Sequence, residues 1–135
     1  MASLDTNVLI DLGNPRRAGH VRASHLLGDL LRRGETICTT RLNVAELRTG
    51  IEQAADRVSE EARVRRALTS VTILELDEPA AEHFGRVRAH LYRLGRPVGD
   101  MDTLIAAVCL ASGQTLVTRN PRHFADVPGL RVESY

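Results

Sequence analysis

A chain of 135 residues with 43% hydrophobic and 26% charged side chains can bury one domain's core, which excludes a disordered tail. Its 18 basic and 17 acidic residues leave a formal charge of +1, which argues against a strongly basic nucleic-acid arm but not against a local patch. Every basic residue is Arg; the lack of Lys excludes a nucleotide-binding phosphate loop and Schiff-base chemistry, and counts against a phospho-receiver domain.

In chain order, the short apolar run Ala2–Leu4 predicts a buried strand, and the stretch after Asp5, through Val8 and Ile10, predicts a helix. His20–Arg33 carries Leu26, Leu27, Leu30 and Leu31 at helical spacing and stops at Gly34. Thr36–Cys38 reads as a second strand. Asn43–Ala55 places Val44, Leu47, Ile51 and Ala55 on one helical face, and Arg57–Leu68 continues as a charged helix with a thin apolar stripe. Val71–Leu74 is the third strand. Pro79 opens a helix through Phe84, Val87, Leu91 and Leu94 that Gly95 and Pro97 close. Asp102 begins a run that is apolar almost all round, the mark of a buried helix, and Thr115–Val117 and Leu130–Val132 complete the strands. No repeat or linker divides the chain, so one domain is expected.

This alternation predicts an α/β fold, a mostly parallel five-stranded sheet with helices on both faces. Sites in such sheets form outside the carboxyl ends of the strands. No apolar run approaches the roughly 20 residues that cross a membrane, and Met1–Asp5 lacks the series of a secretory signal, so a soluble cytoplasmic protein with no membrane partner is expected. Cys38 and Cys109 sit in apolar sequence without His neighbours and read as buried free thiols.

Four polar positions fall where a strand ends or a helix begins: Asp5, Glu46, Asp102 and Asn120, with Asp100 close to Asp102. Each has a purely structural explanation. Asp5 suits a helix N-cap, Asn43 and Glu46 have capping-box spacing, Asp102 suits a helix dipole, and Asn120 before Pro121 suits a turn. Acids that converged on one sheet edge would repel each other unless hard divalent cations, which take oxygen ligands, shared their charge. Such ions assist phosphodiester hydrolysis.

The ordered set Leu4–Ile10 (LDTNVLI), Asn43–Leu47 (NVAEL), Gly99–Ala107 (GDMDTLIAA) and Leu116–Phe124 (LVTRNPRHF) resembles the PIN-domain ribonucleases, specifically VapC-type toxins of bacterial toxin–antitoxin pairs. The resemblance spans nearly the whole chain. It implies a three-layer α/β/α PIN-like domain over residues 1–135 and a Mg²⁺- or Mn²⁺-dependent endoribonuclease acting on transfer RNA or another structured RNA. It also implies a cognate antitoxin and a homodimer. Asp5, Glu46 and Asp102 match the family's metal-holding acids, and Asn120 stands at a fourth catalytic position that is often Asp. Thr6, Asn7 and Thr118 match supporting polar residues, and Asp100 would assist from nearby or lie on the surface. Arg16, Arg17, Arg41, Arg48 and Arg119 are candidates for RNA phosphates. Apolar exposed residues on the early helices are candidates for the antitoxin, and His123 is expected at the surface, its motif packing a turn. The alternative reading is a catalytically silent PIN fold that serves as a binding module.

Overall fold

The computed structural model describes residues 1–135. Strands β1 (Ala2–Leu4), β2 (Ile37–Thr40), β3 (Thr72–Leu74), β4 (Thr115–Val117) and β5 (Arg131–Glu133) form one parallel sheet in the order β3-β2-β1-β4-β5. Helices α1 (Thr6–Gly13), α2 (His20–Arg32), α3 (Arg41–Gln53), α4 (Arg57–Ala67), α5 (Glu78–Arg93) and α6 (Asp100–Ala111) connect them, and a 3₁₀ turn spans Pro121–Phe124. The chain builds outward from β1 through β2 to β3, then crosses over to lay β4 on the other side of β1. The order of strands therefore reverses between β1 and β4, where such sheets open a crevice at their carboxyl ends.

Alternating side chains feed two cores. Ala2, Leu4 and Val117 pack with Val8 and Leu9 of α1, Leu26 and Leu30 of α2, Leu47 and Ile51 of α3 and Val64 of α4. Leu116, one position from Val117, turns to the other face and meets Val87 and Leu91 of α5, Ile105, Ala106 and Cys109 of α6, Phe124 and Val127. A sheet buried on both faces needs continuous apolar strands, which is why β1 and β4 were legible in three residues each. Both cysteines are free and buried.

The boundaries differ from the sequence reading where polar side chains cap helices. β2 runs on through Thr39 and Thr40, because Thr39 Oγ1 donates to the Leu4 carbonyl at 2.7 Å and Thr40 N-caps α3. The capping box is the pair Thr40 and Asn43, so α3 starts at Arg41 and Glu46 has no capping duty. Likewise α6 starts at Asp100 behind Gly99, and Asp102 is not a cap. No helix is long and apolar enough to cross a membrane.

Candidate active site

Asp5 stands at the reversal point. Its backbone N–H donates to the Val117 carbonyl at 2.9 Å, and its side chain turns back as the N-cap of α1. The carboxylate accepts four hydrogen bonds. Thr6 N and Asn43 Nδ2 donate to Oδ1 at 2.8 and 3.1 Å, while Asn7 Nδ2 and Thr118 Oγ1 donate to Oδ2 at 3.0 and 2.6 Å. Four is about the full acceptor capacity of a carboxylate, so its orientation is fixed from four directions.

The donors come from separate elements, and each is held in turn. Asn43 is oriented because its Oδ1 accepts from the Thr40 N–H at 3.3 Å and the Thr40 hydroxyl at 2.6 Å. Its Nδ2 also donates to Thr6 Oγ1 at 3.0 Å, and that hydroxyl donates onward to Glu46 Oε2. Thr118 Oγ1 accepts from the Asn120 N–H at 3.1 Å, and Asn7 Oδ1 accepts from the Arg119 N–H at 3.1 Å. The end of β1, the starts of α1 and α3 and the loop after β4 thus share one polar network.

Glu46 lies half-buried one turn beyond Asn43. Burial pushes its carboxyl above the usual range; the Thr6 hydrogen bond opposes this, and the charges of Asp5 and Asp102 add to it. Glu46 thus senses the charges of both Asp5 and Asp102. Asp102 Oδ2 accepts from His123 Nδ1 at 3.1 Å, and Asp102 lines an open depression of about 360 Å³ with Arg96, Arg122 and His123. Arginines neutralise acids over most of this chain, yet neither Asp5 nor Glu46 has an ion-pair partner. No three His, Cys, Asp or Glu side chains close to metal-ligand distance. The donor chemistry still fits a hard divalent cation: all oxygen, unpaired negative charge, and an ion type that keeps several of its own waters.

The PIN domain model matches residues 2–130. The chain belongs to the PIN-domain family. Within it, the VapC proteins are its relatives: the tRNA(fMet)-specific endonuclease VapC of Salmonella typhimurium is 32% identical over 132 residues, 98% of this chain and 96% of that one. The VapBC2 structure from Rickettsia felis, solved on a DNA fragment from its promoter, superposes with a TM-score of 0.89 at 25% identity, covering 99% of this chain and 98% of that chain. VapBC-5 of Mycobacterium tuberculosis, a member of the VapBC family of toxin–antitoxin systems, gives 0.67 at 27% identity, covering 98% and 96%.

Of the residues singled out in sequence, this PIN fold joins Asp5, Thr6, Asn7, Glu46 and Thr118 directly and attaches Asn120 through its backbone N–H, whereas Asp102 shares no hydrogen bond with them and acts on Glu46 by charge alone. The exposed Asn120 side chain makes no capping bond. Asp100 is not brought in; its exposed carboxylate pairs with Arg88 of α5. Arg41 and Arg48 pair with Glu75 and Glu61, and Arg119 places one nitrogen on Asp11. Two residues that touch the acids were not singled out as site residues. Asn43 was signalled by the T-x-x-N spacing from Thr40, and His123, exposed as expected, faces Asp102 from a motif that appeared only to pack a turn.

Proposed function

We propose that this PIN domain is a metal-dependent endoribonuclease toxin that hydrolyses RNA phosphodiester bonds and is restrained by a cognate antitoxin. The observation that carries the reading is the network that joins Asp5 at the strand-order reversal to Glu46 through Asn43 and Thr6, both acids lacking the arginine partners that most other acids have, with the charge of Asp102 felt at Glu46. Asp5 and Asp102 would hold Mg²⁺ or Mn²⁺, with Glu46 beside them. When bound, such an ion supplies Lewis-acid polarisation of a phosphoryl oxygen.

The chain's own residues do the positioning. Asn43, Asn7, Thr6 and Thr118 hold the Asp5 carboxylate in one orientation before substrate arrives. Thr6 steers Glu46, which orients the attacking water. His123 restrains Asp102. Neither Cys serves as nucleophile: both thiols are buried, and burial pushes Cys109 up to about 12.

The names of the curated relatives make transfer RNA the first substrate to test. The toxin–antitoxin complexes among the similar structures support a protein partner. An apolar cavity of about 470 Å³, lined by Leu12 of α1, Leu27 and Leu31 of α2 and Val71, supplies a surface on the early helices for such a partner, and Leu31 stands 57% exposed beside it. A homodimer completes the proposed assembly.

Cleavage of end-labelled total transfer RNA in Mg²⁺, Mn²⁺ or EDTA, beside folded Asp5→Asn and Asp102→Asn variants, tests the reading. Discrete fragments that need the metal and vanish in both variants are the expected result. RNA binding without cleavage in any metal would leave the silent binding module in its place.

A further inference from the structure

Asp11, near the end of α1, is fully buried, yet its carboxylate faces two guanidiniums. Arg17 Nε donates to Oδ1 at 2.8 Å, and Arg119 Nη1 lies 3.1 Å from Oδ2. Tyr135 Oη donates to Oδ2 at 2.9 Å, and His20 Nδ1 lies 2.8 Å from the Asp11 carbonyl oxygen. The loop between α1 and α2 closes so tightly over this group that a Cβ on Gly19 would meet Oδ2 at 2.1 Å.

One arginine is enough to neutralise a buried carboxylate. Here there are two, so one positive charge is left over. Their side chains are 42% and 38% exposed, with one nitrogen of each committed to Asp11. The remaining N–H groups of each five-donor fork have no partner within the chain and are left as donors for an anion. A guanidinium already fixed on a buried acid loses less freedom on binding than a free one, which favours a planar, two-pronged partner such as a phosphate.

The cluster is wired to the acid site. The Arg119 N–H donates to Asn7 Oδ1, and Asn7 Nδ2 donates to Asp5 Oδ2. Helix α1 starts at the acids and carries Asp11 about 9 Å along its axis, at 1.5 Å per residue. Two hydrogen bonds thus set Arg119 beside Asp5, the place of a phosphate neighbouring one held at that acid.

We infer that Arg17 and Arg119, fixed on Asp11, form a phosphate subsite for the RNA strand beside the bond that is cut. Asp11 is its positioning residue. The subsite rests on the ribonuclease reading for its substrate but is tested separately from it.

The test measures transfer RNA binding in EDTA across a salt series, and cleavage in Mg²⁺ and Mn²⁺, for the unsubstituted chain, Arg119→Lys and the triple variant Asp11→Asn/Arg17→Gln/Arg119→Gln. The triple variant removes the cluster without stranding a buried charge, and circular dichroism verifies its fold. Affinity should fall about tenfold and the slope of log affinity against log salt should shrink by about one. KM should rise by a similar factor with kcat within about twofold. Arg119→Lys, which keeps the charge and loses the fork, should fall between the two. A folded triple variant with unchanged affinity and salt slope overturns the subsite. If the unsubstituted chain binds RNA but cuts none, the ribonuclease reading fails, while the binding comparison still decides the subsite.

Discussion

Thr118 Oγ1 donates to Asp5 Oδ2 at 2.6 Å, joining the ends of two adjacent parallel strands across most of the chain's length. The same hydroxyl accepts from the Asn120 N–H, so one buried oxygen holds both the first acid and the loop after β4. Thr118→Val keeps the shape and removes both bonds together with a third, from Asn7 Nδ2 at 3.3 Å. It should lower stability by about 1–3 kcal/mol, the cost of leaving buried polar partners unpaired, and reduce cleavage. Thr118→Ser should restore most of both. Thermal melting and cleavage rates of the two variants check this.

Thr6 makes the only hydrogen bond between the network and Glu46. Thr6→Val should lower cleavage about 10- to 100-fold, as loss of groups that orient metal-holding residues typically does, with a melting temperature close to the unsubstituted chain's. Half-saturation by Mn²⁺ should shift to higher concentration. Equal cleavage by Thr6→Val would mean that Glu46 needs no steering.

Burial is the main reason that the Glu46 carboxyl sits above the ordinary glutamate value of 4.5; the Thr6 bond works against it, and Asp5 and Asp102 work with it. Above pH 4.5 the folded chain therefore keeps a proton that the unfolded chain has lost. The stabilisation this group provides is full below that pH and disappears as the pH rises through its folded value. In EDTA, Glu46→Gln should melt progressively higher than the unsubstituted chain as the pH rises from 4.5 to 7, because the neutral amide escapes the cost of burying a charge and, to a lesser degree, the repulsion. A difference that stays constant over that range would contradict the assignment.

Two glycines separate close approach from helix propensity. Gly19→Ala would drive a methyl into the Asp11 carboxylate, and should cost about 1–3 kcal/mol through overpacking. Gly50 is exposed within α3 with nothing near its missing Cβ, so Gly50→Ala should add about 0.5–1 kcal/mol. Denaturant melts of both variants give the signs directly.

The helices and strands were legible because each buries its own apolar periodicity. Leu26, Leu30, Leu47 and Ile51 face inward as their spacing requires, and the all-round apolar α6 is buried as its composition demands. Asp5, Glu46 and Asp102 were legible as candidates because strand ends and helix starts are where a parallel sheet places polar residues. Local spacing misassigned the cap of α3, since Asn43 serves as partner to Thr40 and its amide reaches Asp5.

The sequence by itself thus determined the fold class and the order of the elements, and named candidate acids at strand ends and helix starts, since these depend on local periodicity and chain topology. Only the tertiary structure decided which side chains share hydrogen bonds. Asn43 joins Asp5, His123 faces Asp102, Asp100 leaves for Arg88, and Arg41 and Arg48 go to Glu75 and Glu61. Asp11 gathers Arg17, Arg119 and Tyr135 from three separate stretches of chain. Such partners are chosen by distances of about 3 Å between atoms far apart in sequence, and hydrophobic patterning carries no record of them.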